Sequence, residues 1–205
     1  MQMNTIFETL FDSALLDPRL EWMNPPSRWA VDVKESVLVV EPDTETDFWQ
    51  RTHYGFRADN GSFLHLTLEG DFRMHTRVRL QPRHRYDQAG LMVRISPDCW
   101  IKTSVEHETE QPSVVGAVVT NFAYSDWSTQ EFHGEAVEFQ ITRTGADYVV
   151  QWREAGSKWL QLRMCHLHED HSRSPVLGGL YACCPKRSGF VAKFEHLTVH
   201  TGAGA

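Results

Sequence analysis

The 205-residue chain is predicted to fold as an all-β antiparallel sandwich or jelly roll of two packed sheets. Three observations predict it. Short runs rich in Val, Ile, Phe, Trp and Thr recur along nearly the whole length. Clusters of Pro, Gly, Asn and Asp punctuate them as turns. Between them no segment has helical periodicity, so any helix is expected only at the N-terminus or in the loop 165–174. A sandwich of this length is commonly one domain, and no repeat, linker or low-complexity segment divides residues 1–205. Only the tail 201–205 is expected to fray.

Each expected strand has its stop signal. Residues 37–40 end at Glu41-Pro42-Asp43. Residues 47–56 run to Asp59-Asn60-Gly61, where Asn-Gly is a hairpin signal because it accepts positive φ at low cost. Residues 63–68 end at Glu69-Gly70-Asp71, 72–80 near Pro82, 89–95 at Ser96-Pro97-Asp98, and 100–107 before Gln111-Pro112. Residues 114–121, 136–143, 148–154 and 159–164 follow, then 177–183 and 190–199 on either side of Pro185-Lys186-Arg187-Ser188-Gly189.

Composition narrows the function classes. A hydrophobic fraction of 41% with 23% charged residues is that of a folded globular protein. A net charge of -7 argues against a nucleic-acid backbone as partner, which needs a concentrated basic surface. Residues 1–12 have no basic start or apolar run, so no secretory signal is expected, and no later stretch is apolar enough for a membrane span. Cys99, Cys165, Cys183 and Cys184 form no C-x-x-C pair, so reduced thiols and a cytoplasmic location are expected. The segment Cys165-His-Leu-His-Glu-Asp-His171 carries metal-ligating residue types, but its spacing fits no zinc pattern and it reads as a solvated polar loop. No metal or cofactor is expected.

Alternation locates the candidate site. In 47–56 one parity carries Asp47, Trp49, Arg51 and His53, a recognition surface; the other carries Phe48, Gln50, Thr52, Tyr54 and Phe56, closer to a core face. In 100–106 it places Trp100, Lys102, Ser104 and Glu106 together, and in 88–94 it groups Gln88, Gly90, Met92 and Arg94. If these two strands pair, Gln88, Arg94, Lys102 and Glu106 share one face with Trp100, and Trp49 and Arg51 join from another strand. Aromatic plates beside amide and charged groups suit a sugar, whose ring stacks while its hydroxyls hydrogen-bond. The alternative is a solvated outer face with cross-strand ion pairs, each worth under about 1 kcal/mol. Binding is favoured because Trp is costly to leave in water. Lys102 and Glu106, about 13 Å apart along one strand side, are expected to grip different parts of a ligand, so that replacing either leaves stability intact. Trp29, Trp127, Trp152 and Trp159 are expected as core plates between the sheets, with Trp127 able instead to rim the binding face.

Four segments together resemble the family known as regulation-of-enolase protein 1-like, or domain of unknown function 1349. They are Thr46-Asp-Phe-Trp-Gln-Arg-Thr-His-Tyr-Gly-Phe56, Tyr86-Asp-Gln-Ala-Gly-Leu-Met-Val-Arg94, Trp100-Ile-Lys-Thr-Ser-Val-Glu106 and Ser125-Asp-Trp-Ser128, and Gly179-Leu-Tyr-Ala-Cys-Cys-Pro185 with Gly189-Phe190 fits as well. The resemblance covers essentially the whole chain. It implies a concanavalin A-like jelly roll with one concave sheet, on which many relatives of that superfamily bind or cleave glycans. It also raises Tyr86 and Asp87 as candidates, the Asp with the alternative of capping a turn; Tyr86 joins Trp127, which follows a turn signal and can rim the concave face, among the expected ligand-binding residues.

Laminarinase-type relatives carry their carboxylates in Glu-x-Asp-x-x-Glu on one strand. Here Glu45-Thr-Asp-Phe-Trp-Gln50 ends in an amide, and Glu69-Gly-Asp-Phe-Arg-Met74 fails at the same place, so hydrolysis by that route is not expected. Glu106, Asp87, Asp126 and Glu138 leave open a pair formed across strands. The leading expectation is a non-catalytic module binding a glycan or sugar-like small molecule. The alternatives are a carbohydrate hydrolase or lyase with an unrecognised catalytic set, and a regulatory protein acting on a metabolic enzyme, as the family name suggests.

Overall fold

A computed structural model of the chain describes residues 4–110 and 112–201. The expected strand stop at Gln111 and the fraying of 202–205 therefore lie outside the described residues. In chain order the strands are β1 (Asn4–Thr9), β2 (Glu21–Met23), β3 (Arg28–Asp32), β4 (Val37–Glu41), β5 (Phe48–Gln50), β6 (Arg57–Asp59), β7 (Ser62–Leu68), β8 (Phe72–Gln81), β9 (Gln88–Ser96), β10 (Cys99–Glu106), β11 (Ser113–Asn121), β12 (Tyr124–Phe132), β13 (Ala136–Thr144), β14 (Asp147–Arg153), β15 (Leu160–His166), β16 (Val176–Cys183) and β17 (Val191–Thr201). No helix occurs among the described residues, including the loop 165–174.

Two antiparallel sheets hold fifteen of these strands. One runs β15-β14-β13-β8-β17-β4-β3 with β1 added along β17, and the other runs β12-β11-β10-β9-β16-β7-β2. Strands β5 and β6 form a separate two-stranded hairpin. Period-two burial makes the main core. Tyr148, Val150 and Trp152 of β14 point inward while their neighbours do not, and they belong to one buried cluster with Leu91, Val93, Ile101 and Leu180 of the second sheet.

Strand β10 breaks this alternation, since all eight of its residues are buried. Its apolar side, Ile101 and Val105, belongs to the main core. Its other side carries Trp100, Lys102, Ser104 and Glu106, and that side is covered too. Phe48 and Trp49 lie over it and, with Phe63, Met92, Trp100, Val118, Tyr181 and Cys183, make a second apolar cluster on the far side of the sheet.

The sequence-based expectation for 47–56 is corrected here. Only Phe48–Gln50 is strand. Arg51, His53 and Gly55 have φ of 58°, 61° and 73°, so the chain turns at 51–56 and returns as β6. The alternation expected beyond residue 50 is lost, and Tyr54 and Phe56 are exposed instead of core-facing. Asn60-Gly61 is not the hairpin turn either. Asn60 and Gly61 N–H donate to the Asp47 carbonyl, and Gly61 is required because a Cβ there would lie 2.5 Å from Phe48 and Cys183. Of the four tryptophans expected as core plates, only Trp152 is buried; Trp29 and Trp127 are exposed, and Trp159 stands half-buried under Arg153.

The segment 165–171 is less solvated than its composition predicts. Leu167 and Asp170 are buried, and Asp170 accepts from Nε and Nη2 of the fully buried Arg143 and from the Tyr148 hydroxyl. Arg143 also donates to the carbonyls of Gly70 and Ser174. Burial alone would raise the Asp170 pKa, but these hydrogen bonds outweigh it and hold the carboxyl below its ordinary value. Removing one partner of such a pair leaves an uncompensated buried charge. Arg143→Ala is therefore expected to lower stability by about 3–5 kcal/mol, measured by urea denaturation, and a loss under about 1 kcal/mol would show that the pair is not the anchor of this loop.

Candidate functional site

The register of β9 on β10 sets Gln88 opposite Glu106, Met92 opposite Lys102 and Arg94 opposite Trp100. With side chains alternating, Gln88, Arg94, Lys102 and Glu106 lie on one face of the second sheet, turned away from the main core. Strand β16 pairs with β9 and adds Tyr181 and Cys183 to that face.

Buried cations need partners, and the segment 44–61 supplies them. Arg94 Nη1 and Nη2 donate to both carboxylate oxygens of Asp59 at 2.6 and 2.7 Å. Lys102 Nζ donates to Asp47 at 3.1 Å and to the Gln88 amide oxygen at 2.9 Å. The Tyr181 hydroxyl donates to the same Gln88 oxygen. Phe48 is wedged edge-on between Trp100 and Tyr181. An isolated two-stranded hairpin is marginal in water, so these contacts, with a bond from Gln50 N–H to the Ser125 hydroxyl, are what seat β5–β6 on the sheet.

Between hairpin and sheet lies a cavity of about 740 Å³. Trp49, Tyr54, Phe56 and Trp127 give it aromatic walls, Gln88, Lys102 and Glu106 line it from the sheet, and Asp47, Asp59 and Asn60 line it from the hairpin side. Glu45, Arg57, Ala58, Tyr86, Val118, Pro185 and Lys186 complete the lining, with Lys186 standing 5.4 Å over the Tyr86 ring. Trp127 meets Trp49 edge to face at 6.5 Å and is 37% exposed.

Six of the eight sequence-predicted residues thus converge: Trp49, Tyr86, Gln88, Lys102, Glu106 and Trp127. Two do not. Arg94 is covered by Asp59 and the Phe48 ring, and it serves to pin the hairpin. Arg51 turns away to stack over Tyr124. Lys102 lines the cavity, but its ammonium is already bonded, so replacing it is expected to cost stability as well as any ligand contact. Sequence reasoning missed Asp47 as the Lys102 partner, along with Asp59, Asn60 and Lys186; the quoted motif 46–56 contained the first, and no spacing signal marked the others.

Glu106 is the unusual group. It is 7% exposed, and its Oε1 is buried without a hydrogen-bond partner in the protein. Burial pushes its carboxyl up to about 8, which the nearby Lys102 ammonium opposes and the Asp47 carboxylate reinforces. The remaining carboxylates considered from sequence are elsewhere. Asp87 is buried and caps the backbone N–H groups of Arg83 and His84. Asp126 pairs with Arg163, and Glu138 lies on the other sheet with His75 and Arg153. Among the described residues no three His, Cys, Asp or Glu side chains are placed to share a metal ion. In 165–171, His166 bonds Asp147, His168 bonds Asn121 and Asp170 bonds Arg143.

The fold places the chain among all-β sandwich domains. A structure described as Bacteroides ovatus xyloglucan PUL GH43B superposes with a TM-score of 0.76 at 19% identity, over 94% of this chain and 38% of that one, a likeness of fold alone. A crystal structure of a functionally unknown protein from Saccharomyces cerevisiae matches with a TM-score of 0.82 at 29% identity, over 91% of this chain and 98% of that one.

The family model for protein of unknown function DUF1349 matches residues 22–201. The chain is also 32% identical over 186 residues to Regulation of enolase protein 1 of Saccharomyces cerevisiae, covering 89% of this chain and 90% of that protein. The chain belongs to the DUF1349 family.

The raised Glu106 pKa has a thermodynamic signature. Between the ordinary value of 4.5 and about 8 the folded state keeps a proton that the unfolded state has released. Stability contributed by this group is therefore present at low pH and lost as pH rises across that window. Relative to Glu106→Gln, the wild-type protein is expected to lose on the order of a few kcal/mol over that range. Thermal melts of the two proteins across pH check this, and parallel curves would mean that Glu106 ionises normally.

Proposed function

We propose that the cavity beneath β5–β6 binds an uncharged carbohydrate or similar polyol, with Trp49, Tyr86, Gln88, Lys102, Glu106 and Trp127 contacting it and Arg94 pinning the hairpin that covers it. The observation that carries this reading is Glu106, a buried carboxyl that lines an aromatic-walled cavity, has one oxygen without a hydrogen-bond partner in the protein, and is pushed by burial up to about 8. A neutral carboxyl can both donate to and accept from a hydroxyl, and aromatic plates favour the apolar faces of a sugar ring.

Charge supports an uncharged ligand. Of the three cations lining the cavity, Lys102 is bonded to Asp47 and Arg57 to Asp98, while Lys186 stands at the rim over Tyr86. No cluster of free cations is left to hold a phosphate or carboxylate. Binding is favoured over hydrolysis because Asp47, the carboxylate nearest in role, already accepts from Lys102 and from the Phe48 N–H. Four free cysteines, three of them buried, suit a reducing compartment such as the cytoplasm.

A second reading, regulation of a metabolic enzyme, draws on the name of the yeast relative and on exposed Tyr54, Phe56 and Phe122, which offer an aromatic surface to a protein partner.

Screening the purified protein on an array of neutral, acidic and phosphorylated glycans tests the reading, with binding expected among the neutral members. Affinity for such a ligand is expected to fall as pH rises through about 8, since ionised Glu106 loses its donor and gains a charge to bury. Glu106→Gln is expected to bind with little pH dependence. Affinity that is constant across this range in the wild-type protein would remove Glu106 from the ligand.

A further inference from the structure

We propose that the binding site continues past Trp127 into a second cavity, and that the two together take a linear neutral oligosaccharide instead of a single sugar. This rests on reading the first cavity as a carbohydrate site. The second cavity also has a volume of about 740 Å³. It shares three linings with the first, Trp49, Tyr54 and Trp127, so the two abut on opposite sides of one aromatic wall. Tyr54 and Trp127 are the exposed members of that wall, and Trp49, the edge-to-face partner of both, is buried.

The second cavity is formed where the edge strands of the two sheets come together. Asp126 and Trp127 come from β12, and Arg163, Cys165 and His166 from β15. The turn 51–54 closes it with Thr52, His53 and Tyr54. That turn holds left-handed φ at Arg51 and His53, a costly conformation for residues other than glycine, and it is tied down by Trp49 Nε1 donating to the Thr52 carbonyl. One braced turn therefore contributes to both cavities and aligns them.

The chemistry matches across the wall. Arg163 is paired with Asp126 at 2.9 Å, and His166 is hydrogen-bonded to Asp147 at 2.8 Å, so the charged and polar groups of the lining again have partners in the protein. Tyr124, 57% exposed, adds an aromatic ring braced by the Arg51 guanidinium at 5.5 Å. Polar groups with aromatic rings on both sides of a shared wall suit a ligand that repeats the same unit. Each cavity alone lies within the range of small-molecule sites, so together they exceed what one monosaccharide fills.

The test is calorimetric titration of the purified protein with glucose, xylose and their β-1,4-linked oligomers of up to six units. Affinity is expected to rise with length by at least about tenfold from monomer to hexamer in a series that binds. Tyr124→Ala and His166→Ala, both at exposed positions and outside the first cavity, are expected to erase that gain while leaving the monomer affinity unchanged. Equal affinity for monomer and hexamer, or variants that weaken both alike, would overturn the extended groove and leave the first site standing. Failure of every sugar in both the titrations and the neutral-glycan array would overturn the underlying reading and this inference with it.

Discussion

The structure turns on two cations buried on the wrong side of a sheet. Arg94 and Lys102 project from β9 and β10 away from the main core, and each is at most 5% exposed. Burying an unpaired charge costs several kcal/mol, so the face that carries them is stable only when carboxylates come down on it. Asp59 and Asp47 do this from the same short hairpin, and Phe48 fills the space between Trp100 and Tyr181 as they close. Once the hairpin is seated, Glu106 is buried without a counter-charge of its own, and burial pushes its carboxyl up to about 8. The cavity and its raised carboxyl thus follow from one electrostatic requirement.

This requirement also explains what could be read from the sequence. The main core was legible because its strands bury one face only; Tyr148, Val150 and Trp152 alternate cleanly. The shared face of Gln88, Arg94, Lys102 and Glu106 was legible for the same reason, since parity survives wherever pairing is in register. Parity does not say whether a polar face is wet. β10 looks half-exposed in sequence and is covered on both sides, because a partner from another part of the chain folds over it.

Turn chemistry misled at two points. Asn60-Gly61 is the strongest hairpin signal in the chain, yet the glycine serves close approach to Phe48 and Cys183, and the hairpin turns at 51–56 on Arg51 and His53. Conversely, β11 and β12 are joined through Phe122 and Ala123, both at positive φ, where Asn-Gly would be usual. With that signal absent and most of its side chains exposed, β12 has no hydrophobic pattern to reveal it. Tertiary contact overrides local preference at both sites, and both flank the aromatic wall around Trp49 and Trp127.

The most direct test of this account is residue-resolved hydrogen exchange on wild-type protein and Asp59→Asn. The account predicts that wild-type amides of β5 and β6 are protected, and that the variant loses protection there while β9, β10 and β16 keep theirs. Unprotected β5–β6 amides in the wild-type protein, or unchanged protection in the variant, would contradict the claim that buried cations hold the hairpin on the sheet.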